Sequence, residues 1–291
     1  MGPMSQQKRH DQGRTRAAAP RPAAAGAESR FRHAAKTVYY GLRFVCGRIA
    51  RLAGSKPPRV TVVLYHRVND ELRDSVTVGV AQFDRQMALL RRHCQIVSIE
   101  DVVAGNLPRA SRRPVVCVTF DDGYKDNFTN ARPILLKHRV PASFFVATGL
   151  IGTAREFAHD RQKGIFGLEN MNWDDLRRMR AEGFVIGSHT VNHIDCAKEP
   201  GDTVSLELAD SMAALKRELG CERVIFAYPF GGRHNMTPEA LARVKQAGYV
   251  GCLSAYGGTN RDGVDPFDVR RGGINWSICD MAFLCRAYGF V

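Results

Sequence analysis

From residue 60 onward the sequence alternates between two kinds of apolar pattern, and this alternation limits the fold more than any other feature. Short runs rich in β-branched and aromatic residues fall at 60–65 (VTVVLY), 115–120 (VVCVTF), 142–148 (ASFFVAT), 184–188 (FVIGS), 223–229 (RVIFAYP) and 249–253 (YVGCL). Most are apolar nearly throughout, the pattern of strands buried on both faces. Between them lie segments of helical periodicity. In 81–94, Phe83, Met87, Leu90 and Cys94 share one stripe. The segment 130–138 is helical, and 172–183 has Asn172 as cap and Gly183 as stop. A helix over 203–219 is stopped by Gly220, and 237–248 opens on Thr237 with Pro238 at the first helical position. Repeated strand–helix units predict a parallel sheet or barrel covered by helices. One interval, 149–171, is long for a connection in a compact domain. It reads either as a lid or substrate-contacting loop, or as a variable surface loop.

The segment ahead of residue 60 has a different character. The chain carries a net charge of +13, which would suggest nucleic acid or a membrane as partner if it were spread over the whole surface. Residues 1–56 hold twelve Lys and Arg against two acids, Asp11 and Glu28, so ten of those charges lie there. The remaining 235 residues carry +3, which argues against nucleic-acid binding by the body of the protein. Residues 1–28, rich in Ala, Arg and Pro, read as a disordered basic leader without the apolar core of a secretory signal. Residues 29–53 place Phe31, Val38, Leu42, Val45, Ile49 and Leu52 at helical spacing, with Arg32, Lys36, Arg43, Arg48 and Arg51 between them. Such a basic amphipathic helix either lies on a membrane surface or packs on its own domain or a partner. Residues 54–59 form a linker, so a catalytic body is expected over 57–291. The eight cysteines include no CxxC pair and several sit in apolar runs, which fits free thiols in a reducing compartment. The expected location is the cytoplasm, near the inner face of the membrane.

Three polar clusters follow three of the strand patterns. The first is Asp121-Asp122, the second GSHTVNH with His189 and His193, and the third YPFGGRHN, Tyr228 to Asn235. Two adjacent carboxylates at the end of a buried strand repel one another and resist desolvation. In parallel α/β folds the C-terminal strand ends meet on one face, so all three clusters converge if the strands are parallel. Two His four apart on a helical turn can share a metal ion, and two His plus a carboxylate form a typical catalytic zinc set. A cation neutralises one Asp and offsets the repulsion, while the other Asp stays free as a general base.

The motifs TFDDGY, SHTVNH and YPFGG resemble those of the polysaccharide deacetylase (NodB-homology, carbohydrate esterase) family, over roughly residues 60–275. The resemblance implies a distorted (β/α) barrel with fewer than eight parallel strands. It implies an enzyme that removes N-acetyl, or sometimes O-acetyl, groups from an amino sugar in a polysaccharide, oligosaccharide or lipid-linked glycan, using a divalent metal, commonly zinc. Carried over by motif, Asp121 is the general base, Asp122, His189 and His193 are the metal ligands, and the Phe230 N–H stabilises the oxyanion. Tyr124, Tyr228, Pro229 and Gly231 are supporting residues of the same motifs. Two departures stand out. The third motif of many members has an Arg where this chain has Ala227, leaving Arg270 or Arg271 to orient the base. The C-terminal motif that supplies an acid His is absent. His66, in LYHRV at the end of the first strand, is the candidate general acid, with His234 an outside candidate. Asp174 reads as a helix start and Trp173 as packing. Two other readings stay open: a metal-dependent hydrolase of another C–N or ester bond, and a catalytically weak carbohydrate-binding relative.

Overall fold

The computed structural model describes residues 27–52, 60–108, 111, 113–261 and 263–290. The expected disordered leader, apart from its last two residues, and the expected linker at 54–59 lie outside these. Helix α1 (Ala27–Leu52) comes first, starting two residues before the expected one. The barrel opens with β1 (Thr61–Tyr65), every residue of it buried. Two short strands follow, β2 (Arg67–Val68) and β3 (Thr77–Val78), which pair in a small separate sheet. Helix α2 (Val80–His93) then leads to β4 (Gln95–Ile96) and α3 (Ile99–Val103). The next units are β5 (Val115–Phe120) with α4 (Arg132–His138), then β6 (Ala142–Val146) with α5 (Ala158–Gln162) and α6 (Trp173–Ala181). After β7 (Val185–Ser188) come α7 (Gly201–Leu219), β8 (Phe226–Ala227), α8 (Pro238–Gln246), β9 (Cys252–Leu253), β10 (Arg271–Gly273) and α9 (Asp280–Ala287).

The main sheet runs β10-β1-β5-β6-β7-β8-β9, all neighbours parallel. Seven strands thus form the wall, and β4 adds a two-residue pairing to the first part of β5. A parallel bridge between Leu253 and Val269, just ahead of β10, closes the ring. The expected barrel of fewer than eight wall strands is what the chain forms. Two expected strands are much shorter than their apolar runs: 223–229 contributes only Phe226–Ala227, and 249–253 only Cys252–Leu253. Val224, Ile225 and Tyr249 are buried outside the assigned strands, although the Val224 and Ile225 carbonyls still accept from the Val250 and Ser188 N–H groups at 3.0 Å.

Strand periodicity divides the apolar residues into two cores. Val63, Tyr65, Val116, Val118 and Phe120 face outward and meet Phe83, Met87 and Leu90 of α2 and Phe283 of α9. Val62, Val115, Cys117, Phe145, Ile225 and Leu253 face inward and meet Ile99, Val102 and Val103, so α3 plugs the lower end. Gly187 serves close packing: a Cβ there would lie 2.5 Å from the Phe145 ring and 2.7 Å from the Ile225 carbonyl oxygen.

The amphipathic helix α1 packs one face on the body. Phe44 meets Tyr288 and Phe290 at ring distances of 4.9 and 5.9 Å, and Arg43 Nε donates to the Phe290 carbonyl at 2.9 Å. Among the described residues no helix is long and apolar enough to cross a membrane. All eight cysteines are free thiols, and only Cys46 is exposed.

Candidate active site

Strand β5 delivers the first carboxylate by simple alternation. Val115, Cys117 and Thr119 point inward, and Asp121 continues that series one step past the strand end. There it meets Arg271 of β10, which pairs in the fold with β1, itself the neighbour of β5. The guanidinium grips the carboxylate with two bonds, Nη1 to Oδ1 and Nη2 to Oδ2, both 2.7 Å. Its Nε donates to the Ser254 carbonyl at 2.7 Å. Both partners are buried, so the pair is held in one geometry. Arg271, not Arg270, is therefore the arginine that pairs with Asp121. Arg270 turns away and pairs with Asp268 at 3.3 Å.

Asp122 breaks the alternation. Its backbone is left-handed, with φ of 76°, and Gly123 follows at 98°, so the chain turns sharply and Asp122 also faces the mouth. Asp122 Oδ1 lies 3.5 Å from His189 Nε2 and 3.3 Å from His193 Nε2. One ligand atom from each of the three residues lies within 4.8 Å of the others. The two His do not sit on a helical turn as expected. They lie in the loop after β7, where Thr190 and His193 have φ of 64° and 57°, which an α-helix excludes. Glu207 of α7 pins this loop by accepting the Val191 and Asn192 N–H groups, both at 2.8 Å.

Asp122, His189 and His193 suit a divalent cation on two observations. Asp122 Oδ1 is buried with no hydrogen-bond partner among the described residues, a state that normally costs stability. His189 Nδ1 engages the Ala227 carbonyl at 2.7 Å, which leaves the Nε2 lone pair facing Asp122. Burial opposes ionisation of Asp122, but the two imidazoles beside it hold its pKa well below the usual carboxylate value.

These groups line one cavity of about 420 Å³ together with His66, Tyr228, Phe230, His159 and Lys163. His66 follows β1 and is half-buried. Its carbonyl accepts from Asn127 Nδ2 at 2.7 Å, and burial lowers its imidazole pKa below 6.5. Phe230 is left-handed, with φ of 62°, and its ring packs 4.9 Å from that of His193. Its N–H has no partner among the described residues. Pro229 and Gly231 shape this turn, the Gly231 N–H donating to the Pro229 carbonyl at 2.7 Å. Tyr124 does not line the cavity. Its hydroxyl donates to Asp160 at 2.5 Å and lies 3.1 Å from His159 Nε2, so it supports the neighbouring segment instead. His234 is exposed and apart from the cavity lining. Asp174 is exposed in the first turn of α6, where it pairs with Arg177, and Trp173 packs on the outer core.

His159 is the site residue that the sequence did not disclose. It sits on α5 within the long 149–171 interval, with Nε2 3.9 Å from Asp122 Oδ2 and its ring 4.9 Å from that of His193. The interval is held down by the buried Arg67, whose Nη1 donates to Asp160 at 2.7 Å and which also binds Asp74. The only clue in the sequence was the unusual length of the connection.

A parallel barrel whose mouth holds a bound carboxylate, a second carboxylate and two facing imidazoles belongs to the class of barrel hydrolases. The comparisons narrow this. The family model for polysaccharide deacetylase matches residues 109–251. A Bacillus subtilis (strain 168) protein classed as a polysaccharide deacetylase, YxkH, is 26% identical over 71% of this chain and 68% of its own length. The poly-β-1,6-N-acetyl-D-glucosamine N-deacetylase of Staphylococcus aureus (strain MSSA476) is 24% identical, and the match covers 59% of each protein. Among solved structures, IcaB from Ammonifex degensii aligns with a TM-score of 0.66 at 26% identity, over 81% of this chain and 99% of that one. The Streptococcus pyogenes deacetylase PplD in complex with acetate aligns with a TM-score of 0.67 at 23% identity, over 80% and 99%. Residues 109–251 are thus similar to a polysaccharide deacetylase domain.

Proposed function

We propose that this protein is a metal-dependent hydrolase that removes N-acetyl groups from an N-acetylhexosamine-containing glycan. The observation that carries the reading is the meeting of Asp122, His189 and His193 with the Asp121–Arg271 pair in one cavity. The substrate class is supported by the named activity of the Staphylococcus aureus relative. A divalent cation held by Asp122, His189 and His193, with zinc favoured by the two-nitrogen, one-oxygen donor set, would supply Lewis acidity toward the acetyl carbonyl and an acidified water.

The other roles fall to the chain itself. Asp121 accepts the proton of the attacking water, and Arg271 keeps its carboxylate aimed at that point. The Phe230 N–H donates to the oxygen that gains charge as the carbon becomes tetrahedral. His66 gives a proton to the leaving nitrogen as the C–N bond breaks, so the products are acetate and a free amine. Tyr228 and Phe230 form the apolar side of the cavity and limit water access. We also assign the protein to a reducing, cytoplasmic compartment, consistent with its eight free thiols; recovery from the periplasm on fractionation would contradict this.

The test pairs bound metal with acetate release from N-acetylglucosamine oligomers. Asp122→Ala should lose both metal and acetate release. Asp121→Asn should keep the metal and lose acetate release. A fully active Asp121→Asn would remove the base assignment, and zinc binding without acetate from any N-acetylated sugar would favour a carbohydrate-binding role.

A further inference from the structure

We propose that α1 is a docking surface for an anionic lipid membrane. At about 100° per residue, Val38, Leu42, Val45 and Ile49 fall within one arc of roughly 60°. Each is 55–64% exposed, and Tyr39 beside them is 56% exposed. The opposite side of the helix is the one that packs on the body, through Phe44, the Tyr40 carbonyl and Gly47. Packing on the domain and an exposed apolar stripe therefore coexist on one helix. The contact with α9 uses the aromatic face and leaves the aliphatic face open.

Charge selects the occupant. Lys36 and Arg43 lie on one side of the helix, roughly 130–150° from the middle of the stripe, and Arg48 on the other, about 90° from it; all three are exposed, and Arg43 and Arg48 also bond the body at Phe290 and Tyr288. No acidic residue lies in the described helix after Glu28. An apolar stripe on a helix that carries exposed cations and no acid beyond Glu28 matches a surface of acyl chains beneath anionic headgroups. Residues 1–26 do not suit the stripe: they contain no Val, Leu, Ile, Phe, Trp or Tyr. They do carry Lys8, Arg9, Arg14, Arg16 and Arg21 against Asp11 alone, which adds to the attraction toward anionic lipid. A second copy is disfavoured because it would bring the same cations together.

The helix also reaches the mouth of the barrel. Thr37 lines a cleft of about 440 Å³ with Arg73, Arg85 and Trp276. Trp276 is 48% exposed, and its backbone N–H donates to the Thr77 carbonyl at 2.7 Å. Two residues earlier, Ile274 lines the catalytic cavity. That cleft thus joins α1 to the segment after β10 that borders the catalytic cavity. This docking would present the cavity to a glycan held at the lipid surface. The docking itself stands apart from the deacetylase reading, because it is measured without substrate.

The test is co-sedimentation of the full chain with vesicles of equimolar phosphatidylglycerol and phosphatidylcholine, against phosphatidylcholine alone. The wild type should bind the anionic vesicles, more weakly as salt rises, and bind the neutral ones poorly. Leu42→Glu/Ile49→Glu should lower the affinity for anionic vesicles by about tenfold or more, because it removes apolar area and adds repulsion. Lys36→Glu, a charge change that leaves the stripe intact, should also weaken binding. Both variants should keep the wild-type unfolding midpoint and acetate release from a water-soluble oligomer. Failure of the wild type to bind anionic vesicles overturns the proposal, as does equal binding by the variants. A dimer that dissociates in the double variant, without vesicle binding by the wild type, assigns the stripe to a contact between copies and overturns it too.

Discussion

The Arg271–Asp121 pair offers the sharpest test of how the site is built. Arg271→Met removes the only guanidinium among the described residues that bonds Asp121, a carboxylate 2% exposed. Stranding one partner of a buried pair costs about 3–5 kcal/mol, because the remaining charge loses its bonded counter-ion. Asp121→Asn strands Arg271 in the same way, although Arg271 keeps its bond to the Ser254 carbonyl, so the cost falls near the lower end, about 3 kcal/mol. The double variant removes both charges and leaves a neutral amide beside a thioether. Its cost should be about 3 kcal/mol, well short of the sum of the singles, which gives a coupling energy of about 3–5 kcal/mol. For a body of this size each kcal/mol moves the midpoint by roughly 2–4 °C, so each single variant should melt about 6–20 °C lower. Thermal and urea unfolding in chelator read this directly, since metal binding then adds nothing. Additive costs, with a coupling below about 0.5 kcal/mol, would show that the two groups do not form a desolvated ion pair.

Three further outcomes are expected. Removing metal by chelation should lower the unfolding midpoint of the wild type, by the equivalent of about 2.7 kcal/mol where the metal had been at a hundredfold its Kd; Asp122→Ala should show no such difference, and a metal-dependent shift that survives in it would count against the ligand set. Arg67→Met leaves Asp160 and Asp74 without their shared cation, so it should cost about 3 kcal/mol and expose Arg161 and Lys163 to trypsin, and unchanged cleavage would mean the segment is held by other contacts. The hydrogen bond from Arg132 holds the Glu182 pKa below 4.5. As pH falls below that value the unfolded carboxylate takes up its proton first, so the stability of the pair is present above pH 4.5 and lost beneath it. Glu182→Gln should flatten this acid limb by less than about 1 kcal/mol in unfolding titrations, and an unaltered limb would assign it elsewhere.

Much of the barrel was readable because its signals are local. The run at 115–120 became β5 with the same bounds, and the Asn172 and Thr237 caps and the Gly220 stop mark helix ends in the structure. The helix α3, the strand pair of β2 and β3, and α9 were not anticipated. The first two are only a few residues long, and the periodicity of α9 is blurred by buried Ala and Cys. The apparent helical spacing of His189 and His193 misled, because left-handed residues give the same separation in a loop.

Sequence alone determined the alternation of apolar runs, and with it a parallel wall whose strand ends carry Asp121, Asp122, His189, His193 and Phe230 to one mouth. Those facts depend on the chemistry of neighbours in the chain, where the period of two and the caps are written. Tertiary structure decided what no local pattern could: that β10 lies next to β1 and brings Arg271 onto Asp121, 150 residues away. It also decided that a salt bridge from Arg67 draws α5 down so that His159 reaches the site, and which face of α1 stays open. Each of these depends on ring closure and on burial of charge, which arise only once distant segments are packed together.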